Sequence, residues 1–317
     1  MRNALILACV VAVLGYFGSK FYLHDKVTRN LDKLIAAAQP MADISYAGVS
    51  STFSGELGID GVTVRVPAFA DPLHIDSVRV ITPGFFQLLG LTRLGSGDFE
   101  PPESFAVAFR GLTMPVTADY LAAVAEARRA QLAAQDIADS SPECVGKYGF
   151  SPAMLQQLGY SSIVVDASAG YRLEDRHFIV DFTTNVAEMY DVAVTLTFEG
   201  VPTPQSLAIG AYEPRLVNGR LEYLDRSLEE RVMQLCTQQD LTEDAVIAAR
   251  RDAFQTVASS NGIVFDEYVM DPYVEFLRGK DRFVLTAQPI EPVNLRQIGL
   301  YKPSDVPALL NLSAEAL

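Results

Sequence analysis

The chain has 317 residues, 49% of them hydrophobic, and a formal net charge of −14. No cluster of Lys and Arg is present to replace counterions on phosphate, which excludes nucleic acid as a partner, and a polybasic lipid-headgroup patch is excluded on the same ground. The apolar fraction is ample for a core, and acidity of this size mainly favours solubility.

Arg2 is followed by an apolar run over residues 4–18 that continues through Phe21, Tyr22 and Leu23, with only Ser19 and Lys20 interrupting. About 20 apolar residues suffice to cross a bilayer as a helix. The run therefore predicts an uncleaved transmembrane anchor that continues as a stalk helix to Pro40. A cleaved signal peptide is the competing reading, but the run ends without an A-x-A cleavage pattern. A lipoprotein signal ending at Cys9 is weaker still, because Cys9 comes too early. Arg2 and the free amine favour a cytoplasmic N-terminus, with Lys20, Lys26 and Arg29 on the other flank weighing against it. Residues 1–40 are expected to be anchor and stalk, and residues 41–317 a single exported domain.

Residues 41–112 read as β-rich, with strands at 44–51, 56–66, 73–81 and 104–110. Leu57 and Ile59 alternate, then Val62, Val64 and Val66 continue in the opposite phase. A slip at Gly61 predicts a β-bulge there, and Ile75 followed by Val78 and Val80 predicts a second. Two bent strands suggest a curved sheet. Residues 95–102 and 201–214 read as loops.

Residues 117–159 read as helical. An alanine-rich helix spans 117–138, and Ser151-Pro152 opens a short one ended by Gly159. Residues 160–225 carry strict alternation. Ile163, Val165, Ala167, Ala169 and Tyr171 share one face, followed after a turn by Phe178, Val180, Phe182 and Val186. Tyr190, Val192, Val194, Leu196 and Phe198 share the face of the third strand. Short connections make this an antiparallel meander with one buried face. A fourth strand at 216–224 follows; Asn218-Gly219 reads as a bulge within it, with a hairpin turn there as the alternative.

Residues 226–317 read as mostly helical. Ser227 and Glu230 have the spacing of a capping box, and the helix they start carries Val232, Leu235 and Cys236. Thr242 caps the next helix, which Gly262 ends. A helix over 265–277 is expected to be interrupted at Asp271-Pro272, followed by a strand at 283–287 and a short helix at 304–312. Strands and helices come in blocks, so the fold class is α+β: an N-terminal transmembrane helix plus a curved antiparallel meander sheet with packed helices.

Cys144 and Cys236 are the only cysteines beyond the anchor. A disulfide between them would close a loop of 92 residues, worth about 4 kcal/mol in the chain-entropy treatment; two buried free thiols are the alternative. His24, His74 and His177 have no second ligand at metal-binding spacing. Ser151 and Ser161 follow glycines as in a nucleophile elbow but lack its closing Gly. Gly55, Gly58 and Gly61 read as strand bends. The pairs Glu174-Asp175 and Asp266-Glu267 have the composition of acid/base pairs and the context of solvated turns. No catalytic, metal or cofactor residue is assigned, no cofactor is expected, and the chain reads as non-enzymatic. The face formed by Ile163, Val165, Phe178, Val180, Phe182, Val192, Val194, Leu196 and Phe198 is either a filled core or a site for an apolar ligand.

Residues 45–49 (SYAGV), 53–64 (FSGELGIDGVTV) and 75–83 (IDSVRVITP), behind the apolar N-terminus, resemble the opening of AsmA-like and YdgA-like bacterial envelope proteins. Segments beginning at Leu221 and Gln288 are similar to parts of anchored bacterial proteins. The resemblance supplies no catalytic residues. It implies an inner-membrane anchor, a periplasmic domain, and lipid handling or envelope upkeep. A protein-recruiting anchored scaffold is the alternative, and a hydrolase whose site is dispersed in sequence is a second.

Overall fold

Alternating strands that bury one face need a cover for that face, and the helices of this chain supply it. The computed structural model describes residues 2–91, 100–133, 142–146, 150–204 and 213–317. Among the described residues, twelve strands form one antiparallel sheet: β1 (Asp43–Ser45), β2 (Gly48–Ser51), β3 (Glu56–Arg65), β4 (Leu73–Ile81), β5 (Ser104–Pro115), β6 (Ser162–Glu174), β7 (His177–Val186), β8 (Tyr190–Glu199), β9 (Arg215–Asp225), β10 (Arg282–Ala287), β11 (Val293–Asn294) and β12 (Leu312–Ala316). Their order is β1-β3-β4-β5-β6-β7-β8-β9-β10-β12, with β2 beside β3 and β11 beside β9. The helices are α1 (Arg2–Ala38), α2 (Phe85–Gly90), α3 (Asp119–Ala133), α4 (Pro152–Gln157), α5 (Leu228–Gln238), α6 (Glu243–Ser260), α7 (Glu267–Leu277) and α8 (Val306–Leu309). The class is α+β.

The cross-strand register places Ala169, Phe182, Val194, Leu221, Leu285 and Ala314 in one row across β6 to β12. Four apolar clusters form, and all draw their sheet residues from this face. One packs Ile163, Val165, Val186 and Tyr190 under Leu155, Val232 and Val246. A second packs Phe178, Phe198 and Leu216 against Val306 and Leu310. A third sets Tyr223, Phe283 and Ala314 against Ile247, Val269 and Phe276. The fourth holds Leu23 of α1 and Leu88 of α2 against Leu57 and Val80.

The last contact corrects the reading of the N-terminus. Residues 2–38 are helical, but among the described residues no helix is long and apolar enough to cross a membrane. From residue 19 on, α1 carries Lys20, Asp25, Lys26, Arg29, Asp32 and Lys33. It lies on the β1/β2 side of the sheet instead, with Leu23 buried, His24 Nε2 2.8 Å from Ser51 Oγ and Tyr46 donating to Asp32. The expected transmembrane anchor therefore falls. With it fall the signal-anchor reading, the single-pass inner-membrane placement, the periplasmic bulk, the membrane and lipid or envelope partners, and the envelope role.

The sheet is also not curved as expected; it runs open from β1 to β12. The predicted bulge at Gly61 is not there, because Asp60 faces Ser77 and Val62 faces Ile75 in one unbroken register. Gly61 meets the phase change by taking φ +60. Register shifts occur instead between Phe109 and Leu112 and between Thr197 and Phe198. The second lies opposite Asn218, where the sequence predicts a bulge. At the first, Gly111 takes φ +63, its N–H donates to Asp166 Oδ1 at 2.7 Å, and a Cβ there would overlap the Asp76 carboxylate.

Smaller differences have local causes. Ser151 and Thr242 cap α4 and α6 as expected, accepting from Met154 N and Ala245 N. Ser227 makes no side-chain cap for α5; it donates to Glu188 O at 2.5 Å, and Asp225 Oδ1 accepts from Glu229 N instead. Helix α7 runs through Pro272, because its buried residues Val269, Met270, Phe276 and Leu277 flank the proline, and their burial outweighs one lost hydrogen bond. The expected helix at 304–312 shrinks to α8, since Leu312 begins a strand beside β10. Residues 134–138 of the expected alanine-rich helix lie outside the described residues, as do 95–99 and 205–212 of the two loops.

Candidate functional site

The face of the sheet opposite the four clusters carries polar and small side chains. The register aligns Arg79, Ala108, Ser168, Thr183, Ala193 and Glu222 across β4 to β9. Four small residues in one cross-strand row leave a hollow where larger ones would fill it. The trough has a volume of 530 Å³ and is floored by Ala108, Ser168, Thr183 and Ala193. Ser168 and Thr183 hydroxyls lie 2.7 Å apart across the floor. A second hollow of 210 Å³ continues it along Ile81, Ala106, Gly170 and Arg172. A Cβ on Gly170 would lie 2.7 Å from the Ala106 Cβ, so only glycine keeps these strands paired.

Ion pairs wall the trough. At one end Asp191 accepts from Asn185 and from Arg226 Nε, the latter at 3.1 Å. At the other, Arg172 bridges Asp181 and Glu174, and Thr195 donates to Asp181 at 2.8 Å. Arg79 is held 2.6 Å from Asp60 and 3.3 Å from Glu56. Arg110, which also lines the trough, has no ion-pair partner among the described residues. A free guanidinium beside a floor of methyls and hydroxyls suits a carboxylate on an otherwise uncharged ligand.

A cleft of 510 Å³ lies between α5 and the turn from α7 to β10. Asp225 and Glu229 form part of its wall, with Met233, Phe276 and Leu277. Glu229 and the largely buried Arg250 are paired, and Arg250 Nη1 donates to Val145 O at 3.0 Å. Burial works to lower the Arg250 pKa, but the Glu229 carboxylate together with the Tyr273 and Tyr223 hydroxyls more than offsets it, so the guanidinium stays charged. Burial pushes the Asp225 carboxyl up to about 6 and the Tyr273 hydroxyl up to about 12, and raises Tyr223 as well. A carboxyl near 6 can exchange protons close to neutrality. Here, however, Asp225 is already engaged as the acceptor that starts α5, and Glu229 is engaged with Arg250. This cluster ties α5 and α6 to the sheet.

The structure disperses the residues singled out from sequence. Cys144 and Cys236 are joined, with Cα atoms 5.4 Å apart, and both are buried. The nine-residue apolar face is divided. Ile163 and Val165 belong to the first cluster, and Phe178, Val180, Leu196 and Phe198 to the second. Phe182, Val192 and Val194 lie between the two, with Phe182 42% exposed. His74 bonds Thr63. His177 opens β7 opposite Glu174, and Glu174 pairs with Arg172. Glu267 pairs with Arg251. Gly149, which precedes Ser151, lies outside the described residues. Among the described residues, no three His, Cys, Asp or Glu side chains stand close enough to hold a metal. The trough itself escapes sequence reading, because its floor takes one residue from each of four strands. The available signal is a run of small residues on the outward phase, Ser168, Gly170, Thr183 and Ala193.

A family model described only as an uncharacterized protein matches residues 183–317. The match starts within β7, takes in β8 to β12 with α5 to α8, and includes the cleft. It lies wholly outside residues 1–85, on which the resemblance to AsmA-like and YdgA-like proteins rests, so it gives that resemblance no support. No curated protein and no solved structure matches the chain.

Proposed function

We propose that this chain is a non-catalytic binding protein, and that the trough on the face opposite the four clusters holds an extended polypeptide segment of a partner. The row Ala108, Ser168, Thr183 and Ala193 carries this reading. A sheet face meant only for solvent has no use for four small residues in register, whereas a bound segment needs the room they leave. The volume of 530 Å³ is within the usual range for ligand sites, about 300–1,000 Å³. The walls are already ion-paired, so they shape the trough more than they attract. Arg110 is the group free to choose a ligand, and a carboxylate side chain or chain terminus meets its chemistry.

The test uses the full chain with a photo-crosslinking amino acid in place of Thr183, expressed in its native host. One discrete adduct should form, and Ala193→Trp, which fills the trough from a solvated face, should lower its yield about tenfold at unchanged thermal stability. Arg110→Ala should lower it by a smaller factor. An unchanged adduct in the filled variant would refute the trough as the binding surface. An enzymatic turnover by the full chain that Ala193→Trp abolishes would refute the non-catalytic reading.

A further inference from the structure

Helix α1 lies along the β1/β2 edge. At the opposite edge β12 pairs with β10 on one side only. Arg282 and Leu317 exchange both backbone hydrogen bonds, at 3.3 and 2.9 Å, which fixes the phase of the ladder. Counting from that pair, Glu315 and Ser313 turn their N–H and C=O groups toward β10, while Leu312, Ala314 and Ala316 turn theirs outward. None of these outward groups has a backbone or side-chain partner among the described residues. The strand has neither Pro nor Gly nor a bulge, and its one charge, Glu315, is exposed and has no ion-pair partner among the described residues. Glu315, the shortness of the strand and α7 packed over one face blunt this edge only in part, because the outward N–H and C=O groups keep no partner among the described residues.

We propose that β12 is a docking edge that takes an extended, basic polypeptide segment of a partner protein as an added strand. This surface is distinct from the trough, and the proposal does not depend on it. Three outward N–H and three outward C=O groups supply main-chain recognition. The side chains of Leu312, Ala314 and Ala316 lie on the helix-covered face, so the incoming strand presents small or apolar residues there. Glu315 lies on the other face, where the incoming strand presents Lys or Arg. The net charge of −14 steers a basic segment toward the chain. A second copy of this chain fits poorly. Antiparallel pairing of two β12 strands about 4.8 Å apart would bring two α7 helices together on one face, and α7 packs directly on β12. Packed helices need about 8–10 Å between axes.

The test uses the full chain and two fluorescent peptides, one alternating Lys and Val and one alternating Glu and Val. The Lys/Val peptide should bind and slow hydrogen exchange at the amides of Leu312, Ala314 and Ala316. Ala314→Pro removes one outward N–H and no bond to β10. It should weaken binding about tenfold at unchanged thermal stability. Glu315→Lys should transfer the preference to the Glu/Val peptide, and it supplies the answer if the proline variant fails to fold. Equal binding by Ala314→Pro in a folded chain, or no slowing at those amides with saturating peptide, would overturn the proposal. So would concentration-dependent protection of the three amides without peptide, which would assign the edge to a second copy.

Discussion

Asp225→Asn is expected to remove a pH dependence of stability that the wild-type chain carries between about pH 4 and 6. Burial raises the Asp225 carboxyl from 3.8 to about 6. The charge of Glu229 adds to the shift, and backbone N–H groups of Glu229 and Leu228 oppose it. A raised carboxyl pKa means that the folded state holds the proton more tightly than the unfolded chain. Its contribution to stability is fully present below the unfolded value and is lost as pH rises through the folded one. A shift of about two units corresponds to about 3 kcal/mol at full coupling. The group is only half-buried, and solvent screening reduces this to about 1 kcal/mol. Asparagine has no charge to desolvate, and its Oδ1 can still accept from Glu229 N. Asp225→Asn should therefore match the wild type near pH 3.5 and exceed it by about 1 kcal/mol at pH 7. Urea unfolding at half-unit steps from pH 3.5 to 7.5 measures the difference through the midpoint at constant slope. Parallel stability curves for the two proteins would refute the reasoning. A variant less stable at pH 7 would show that the charged cap of α5 outweighs the burial cost.

Replacing Cys144 and Cys236 together by alanine should lower stability by about 4 kcal/mol, since their link closes a 92-residue loop; guanidinium unfolding without reductant measures it. Both cysteines are buried, so the native chain should resist reductant at concentrations that reduce it once unfolded. Glu229→Ala leaves the Arg250 guanidinium buried without its carboxylate and should cost about 3 kcal/mol, whereas replacing both partners by Met should cost much less; a double-mutant cycle by denaturant unfolding separates the two. Gly111→Ala should be destabilising by more than the roughly 1–2 kcal/mol of a left-handed residue alone, because its Cβ also meets Asp76. Gly299→Ala, where a Cβ meets nothing, should stay within about 0.5 kcal/mol and serves as the control in the same melts.

Local signals in the sequence determined much of the fold. Alternation from Ile163 to Phe198 specifies strands and the face each side chain occupies, because a strand has a period of two whatever surrounds it. Ser151 and Thr242 mark helix starts because a cap bonds its own first turn. Asn218-Gly219 marks a bulge for similarly local reasons. Tertiary structure decided what depends on neighbours distant in sequence. The apolar run at the N-terminus is readable as a membrane span, yet what Leu23 packs against is set by Leu57, Phe85 and Leu88. Ser227 has the spacing of a cap, but Glu188 O competes for its hydroxyl and Asp225 takes its place. Residues 312–316 follow a helical turn, and only β10 makes them a strand. The alternating apolar face shows which side chains turn inward and not what covers them, so six of its nine residues enter two separate cores. The trough is the extreme case: Ala108, Ser168, Thr183 and Ala193 are unremarkable singly, and they form a hollow because four strands meet in one register, which depends on pairing across the whole sheet.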